Sequence, residues 1–316
     1  MEHLEGRVAF ITGGASGIGL GMARAFLAEG MKVAIADLNE QNIEDASRLL
    51  GGNNAVHFVR TDVANRDSVR ASAEEVLEVF GAIHVLCNNA GVNGGGTAAS
   101  EDFDSWDRAL AVNLGGVVNC TKIVAPIIRR QGEGGHVVIT SSMAGMVPLP
   151  GLAAYSTAKY AVRGFAESLR IQLSPQGIGV SCLFPGATRT RIVPLPEDDP
   201  ENITEDDAPQ FMKDLWDAMR AAIDPLDTGH AVVEAIRENR FYIFTNREFL
   251  EEVKQRHREI EEAFPDQEPP EGRLRFETMR AEMVRNLMAP GNRPLPKKPK
   301  ADMALDLGSR AVEVGK

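Results

Sequence analysis

Cysteine is scarce in this chain: three in 316 residues, an odd number at positions 87, 120 and 182. That count fits neither a disulfide framework nor a zinc site. Cys87 and Cys182 lie in apolar runs, where burial in a core is expected. The six histidines, among them His57, His84, His136 and His230, show no metal-ligand spacing, so no metal is expected. Positive charge is short as well. Thirty-four basic residues stand against forty-five acidic ones, a formal net charge of -11. This balance argues against nucleic acid and against an anionic membrane surface as partners. No apolar run reads as long enough to span a bilayer. Met1-Glu2-His3-Leu4-Glu5 has neither a basic nor an apolar leader region, so no secretory signal and a reduced, cytoplasmic setting are expected. No repeat of solenoid type is visible.

What the chain does have is alternation. Apolar runs at 7–12, 32–37, 55–61, 84–88, 136–141 and 179–184 read as strands. Helical patterns lie between them, at about 17–30, through residue 50, at 68–80, 112–130 and 153–173. Strands that alternate with helices imply right-handed crossovers and an α/β doubly wound parallel sheet. The texture changes after 184. Residues 196–207 are rich in Pro, Asp and Glu and read as a solvated loop. Helical patterns follow at 208–223, 227–238, 248–264 and 273–288, with a short edge strand at 241–245. The expected domain plan is a dinucleotide-binding and catalytic domain over 1–246, with a substrate-loop insertion at about 192–223. A helical extension over 247–289 and an extended tail over 290–316 complete it.

Two clusters carry chemistry. The segment Thr12-Gly13-Gly14-Ala15-Ser16-Gly17-Ile18-Gly19 joins the first strand to the first helix. Its glycines permit a tight turn and close approach of backbone to a pyrophosphate, which the helix N-terminus would attract. The same run would also serve as a ligand-free turn. Asp37 ends the second strand, where a carboxylate accepts hydrogen bonds from ribose hydroxyls and repels a 2′-phosphate. No Arg or Lys lies in the glycine segment or directly after Asp37, so NAD is favoured over NADP. A helix cap is the alternative for Asp37. Downstream, Tyr155 and Lys159 stand four apart on a predicted helix and share a face. A free phenol is a poor base at neutral pH. A nearby ammonium and a positive nicotinamide ring favour the phenolate. Tyr155 is then base for alcohol oxidation or acid for ketone reduction.

Together these residues carry a resemblance to the short-chain dehydrogenase/reductase family. The glycine segment resembles that family's cofactor loop, including Gly13, Ser16, Gly17, Ile18 and Gly19. Asn88-Asn89-Ala90-Gly91 resembles its sheet-stabilising motif, and Asp62-Val63 its adenine-contacting pair. Asn113, Ser142, Tyr155 and Lys159 match its catalytic tetrad in order and spacing. Pro185-Gly186-Ala187-Thr188-Arg189-Thr190 resembles its post-strand nicotinamide motif. The resemblance covers roughly the first 190 residues and the strand near Phe241. It implies that Ser142, thirteen residues before Tyr155, hydrogen-bonds the reacting oxygen; Ser141 is the fallback for that role, its hydroxyl being expected instead to face the neighbouring strands. It implies that Lys159 bonds the nicotinamide ribose and that the Asn113 carbonyl holds a water leading to Lys159. Asn113 could instead cap a helix start. Asn89, Pro185, Thr188 and above all Thr190 are expected at the cofactor. Assembly as a homodimer or homotetramer is the family expectation.

The segment 192–223 and the part beyond about 247 depart from the common family pattern. The extension resembles bacterial members that oxidise bulky secondary alcohols, including aryl-ether Cα-dehydrogenases. Candidate pocket residues are Met143, Met146, Val147, Pro148, Leu149, Leu152, Ile192, Val193, Phe211 and Trp216, half of which could equally be core. The expected substrate is a hydrophobic, aromatic or aliphatic, secondary alcohol or its ketone. Residues 192–223 could close over it as a lid, and Gly94-Gly95-Gly96 suggests a flexible neighbouring loop. Arg189 and Arg191 could anchor an anionic substrate group; pairing with the acidic loop at 197–199 is the preferred expectation. A 3-oxoacyl-type reductase and a non-catalytic NAD-binding regulator are the competing readings; Asp37 opposes the first and the complete tetrad the second.

Overall fold

The computed structural model describes residues 1–94, 101–193, 195–197, 205 and 208–289. Seven parallel strands form one sheet: β1 Val8–Thr12, β2 Lys32–Asp37, β3 Val56–Arg60, β4 Val85–Asn88, β5 Gly135–Thr140, β6 Ile178–Phe184 and β7 Tyr242–Phe244. Their order is β3-β2-β1-β4-β5-β6-β7, with Ala9 opposite both Val33 and Val85. The helices are α1 Gly17–Ala28, α2 Glu40–Leu50, α3 Arg66–Phe80, α4 Phe103–Leu110, α5 Val117–Gln131, α6 Ala153–Leu173, α7 Gln210–Arg220, α8 Pro225–Glu238, α9 Leu250–Glu262 and α10 Glu271–Met288. The doubly wound fold expected from the alternation is present.

The strands are apolar throughout because both sheet faces are covered. Side chains alternate between two cores. Phe10, Leu86, Val137 and Ile139 face one, beneath α3, α5 and α6. Ile11, Val33, Val85 and Val138 face the other, beneath α1 and α8. α1 and α8 meet backbone to backbone. A methyl at Gly21 would lie 2.0 Å from the Pro225 carbonyl oxygen, and one at Gly229 2.4 Å from that of Gly21. Local signals set the ends. The Asn65 side chain accepts from the Asp67 and Ser68 amides to start α3, and Gly81 at φ 80° ends it.

Two expectations need correction. The long helix begins at Phe103, not at 112, and runs unbroken to Gln131. It is 29 residues long with mean hydropathy 1.5 over its apolar window, enough by length and composition to cross a bilayer. Acidic residues in its first two turns hid it from a search for uninterrupted apolar sequence. In the fold, α5 lies against α3, β4 and β5 and contributes Val117, Cys120, Val124 and Ile128 to the core. Residues Ala111–Gly116 within it form a π-helical turn. Residues 95 and 96, most of 198–207 and the tail from 290 lie outside the described residues, so the expectations for them are left there.

Candidate active site

The switch point of a doubly wound sheet lies where successive crossovers leave in opposite directions, here between β1 and β4. Thr12, the last residue of β1, ties the two together. Its hydroxyl donates to the Cys87 carbonyl (3.2 Å) and accepts from the Asn89 and Ala90 amides (3.0 and 3.1 Å). The Asn89 side chain donates to the Thr12 and Gly13 carbonyls and accepts from Thr140 on β5. Asn89 therefore braces three strand ends. The turn that follows β1 requires glycine. Gly13 and Gly17 have φ of 60° and 47°, and a methyl on Gly19 would sit 2.0 Å from the Gly13 carbonyl oxygen. Ser16 precedes α1, which has no side-chain cap and no acidic residue in its first turn. The amides of Gly17, Ile18 and Gly19 thus open the helix in the arrangement that suits a phosphate.

Asp37 ends β2 and is 9% exposed. One carboxylate oxygen accepts from the Ala15 amide (3.2 Å) and the other from the Asn39 amide (3.0 Å). It does not cap α2, whose N-cap side chain is Asn39. A carboxylate has about four acceptor positions, so two remain for ribose hydroxyls. Asp62 follows β3 and caps the Ala64 amide, while Val63 is buried against Gly116. A dinucleotide fits this set: a glycine turn, an uncapped helix N-terminus and a fixed carboxylate.

The second cluster gathers at the ends of β5 and β6. Ser142 leads a short 3₁₀ turn, Met143–Gly145, and its Oγ accepts from the Ala144 amide. The same hydroxyl reaches the Tyr155 phenol. Burial raises the Tyr155 pKa above its ordinary value, and the Ser142 hydrogen bond opposes that shift. The Lys159 Nζ lies 5.4 Å from the Tyr155 ring centroid and donates to the Thr140 carbonyl at 3.0 Å. Burial brings the Lys159 pKa down to about 8. Asn113 sits inside the π turn, 0% exposed. Its side chain accepts from the Val92 amide and donates to the Val92 carbonyl, both at 3.0 Å. It is not a helix-start cap; it fastens the loop after β4 beside Lys159.

Ser141 does not face the neighbouring strands. Its Oγ donates to the Lys159 carbonyl at 2.8 Å and so joins β5 to α6. Pro185 accepts from the Met143 amide, linking the end of β6 to the Ser142 turn. Thr188 is buried and bridges to Ile223. Thr190 lies over the glycine turn, where a methyl on Gly17 would come within 2.9 Å of its Cγ2. The two arginines pair elsewhere than expected. Arg189 meets Asp224 at 2.8 Å, Arg191 meets Asn42 and Asp45, and Arg220 holds Glu197. Met143 and Met146 belong to the main core, and Trp216 forms a small separate cluster with Leu195 and Met219. Leu149 and Ile192 remain exposed, and Leu152 and Val193 are half-buried. Sequence reasoning missed Tyr160, whose hydroxyl donates to the Met146 carbonyl at 2.6 Å. Its adjacency to Lys159 was the available signal.

A family model described as short chain dehydrogenase matches residues 7–200. The C alpha-dehydrogenase of Sphingobium sp. strain SYK-6 is 31% identical over 288 residues, 89% of this chain and 94% of that protein. The apo form of LigO from the same strain is 37% identical with a TM-score of 0.73, covering 90% of this chain and 98% of that one. A short chain dehydrogenase/reductase from Burkholderia phymatum, solved in complex with NAD, is 34% identical with a TM-score of 0.75 and covers 85% and 99%.

Proposed function

The chain belongs to the short-chain dehydrogenase family and is an oxidoreductase, and on that premise we propose that it interconverts a hydrophobic, aromatic secondary alcohol and its ketone with NAD. The observation that carries this reading is the convergence of Ser142, Tyr155 and Lys159 beside the glycine turn. When bound, NAD supplies or accepts the hydride. Gly13, Ser16, Gly17, Ile18 and Gly19 would hold its pyrophosphate and Asp37 its ribose. Asp62, Val63, Asn89, Pro185, Thr188 and Thr190 would complete the cradle.

Tyr155 takes the hydroxyl proton in oxidation and returns it in reduction. Ser142 hydrogen-bonds the reacting oxygen and holds it in reach of the phenol. Lys159, still charged at neutral pH with a pKa of about 8, favours the phenolate. Asn113 keeps the loop after β4 in register with both. Support for an aromatic substrate comes from the C alpha-dehydrogenase likeness along nearly the whole chain, extension included. Support for NAD comes from Asp37 and from the NAD complex of a related structure.

Initial rates with aryl and aliphatic secondary alcohols, measured with NAD and NADP separately, test the proposal. The expected result is an NAD-dependent rate that is fastest with aryl alcohols. Equal rates with NADP would remove the role given to Asp37. A Tyr155→Phe protein that kept full activity would remove the proton-transfer assignment.

A further inference from the structure

Strands β6 and β7 pair as far as Phe184 opposite Phe244, whose rings stack with centroids 5.1 Å apart. Beyond that point a side chain takes over from the ladder. The Gly186 amide donates to Asn246 Oδ1 at 3.0 Å. The Thr245 hydroxyl donates to the same oxygen, and Asn246 Nδ2 donates to Glu248 Oε1, both at 2.7 Å. Two donors at the oxygen and a carboxylate at the nitrogen fix the amide in one orientation. The approach is close. A methyl on Gly186 would lie 2.7 Å from both Asn246 Cγ and Phe249 Cε2. Phe249 in turn rests on the main core.

Gly186 belongs to the segment 185–190, which joins the two halves of the site. At one end the Pro185 carbonyl accepts from the Met143 amide, next to Ser142. At the other, Thr190 lies over Gly17. Between them the Ile223 backbone accepts from Arg189 and donates to Ala187. Asn246 adds a fastening from a different direction, through a side chain and at the residue directly after Pro185. Asn246 and Phe249 lie outside residues 7–200, the span that matches the family model, at the point where the C-terminal extension begins.

We propose that Asn246 is a positioning residue for the nicotinamide half of the cofactor, an inference that rests on the reading of this protein as an NAD enzyme. It acts through Gly186. With the Gly186 amide held by Asn246 and its Cα against Phe249, Pro185 and Gly186 stay fixed beside the turn that carries Ser142. Without Asn246 the Gly186 amide must turn to water or to another acceptor, and the segment moves with it. The adenosine half depends on other groups, the glycine turn and Asp37, which Asn246 does not touch. Its loss is therefore felt at the nicotinamide end. The extension reaches the site through its first turn, by way of one hydrogen bond and one ring.

Calorimetric titration of the full chain with NADH and with ADP-ribose, which lacks the nicotinamide, tests this. Asn246→Ala should raise the dissociation constant for NADH about tenfold, the effect of one lost hydrogen bond, and leave that for ADP-ribose within about twofold. Retained ADP-ribose binding also shows that the variant is folded. In Asn246→Asp the new carboxylate still accepts from Gly186 but faces Glu248 as a like charge. That variant alone should bind NADH as poorly as Asn246→Ala. Adding Glu248→Gln returns a donor to that side and should restore NADH affinity to within about twofold of wild type. Equal weakening of both ligands, no weakening of NADH, or a double variant that does not recover would each overturn the assignment. A wild-type protein that binds neither ligand would instead remove the NAD reading, and the assignment with it.

Discussion

Tyr155 and Lys159 are pushed by burial in directions that meet. The phenol is raised and the ammonium is lowered to about 8, so each moves towards neutrality. With a raised pKa, Tyr155 holds its proton at neutral pH. The rate of alcohol oxidation should therefore climb as pH rises through the neutral range, while ketone reduction falls at alkaline pH. Parallel pH profiles of kcat/KM in the two directions check this. Tyr155→Phe should lower both by about 10²- to 10⁴-fold. Lys159 also links pH to stability. Its folded pKa of about 8 lies below the ordinary 10.5, so the unfolded chain binds more protons between those values. Stability from this group should then increase with pH across that window. Urea unfolding of the wild type and of Lys159→Met on either side of it will show whether the slope disappears. Tyr160 acts one step away. Its hydroxyl and the Arg163 guanidinium both hold Met146, next to the turn that carries Ser142. Tyr160→Phe should cost about 1 kcal/mol of stability by denaturant titration.

At the scale of elements, the β1–α1 turn and the π turn position the two halves of the site. Gly19→Ala places a methyl against the Gly13 carbonyl and must open the turn. The dissociation constant for NAD should rise about tenfold or more, as 1.4 kcal/mol of misfit would produce, which calorimetry can measure. The glycine segment, the strand ends and the helix bearing Tyr155 were all legible in sequence. The predicted 153–173 coincides with α6 itself. The π turn was not legible. Nothing in Ala111-Val112-Asn113-Leu114-Gly115-Gly116 distinguishes an extra residue per turn from a helix start. The turn is fixed by Asn113 reaching Val92, a contact between segments twenty-one residues apart.

At the scale of the whole molecule, Arg170 joins the catalytic helix to the extension. It is 1% exposed and forms no ion pair with a carboxylate among the described residues. Its two terminal guanidinium nitrogens donate to the carbonyls of Val180 and Asn239, the Asn239 side chain and the end of α10, while the buried Nε has no partner among the described residues. The acceptors are carbonyls at the C-terminal ends of α8 and α10, one strand carbonyl and one side-chain amide oxygen, which together stand in for a counter-ion. Burial lowers its pKa to about 10. Arg170→Met leaves those carbonyls unpaired and should cost about 1–3 kcal/mol. Hydrogen exchange should show faster exchange at the end of α10 than in α1, which Arg170 does not touch.

By itself the sequence determined the sheet, the glycine turn, the acidic residue at the end of β2 and the order of the tetrad. These rest on local rules: strand and helix periods, turn chemistry and fixed spacings along the chain. Only the tertiary structure decided what each polar group does once buried. It sent Ser141 to the Lys159 carbonyl, Arg191 to α2 and Met146 into the core, and it gave Arg170 its ring of carbonyls. Those outcomes depend on which distant segments the crossovers bring together, and a buried donor or acceptor takes whatever partner that geometry supplies.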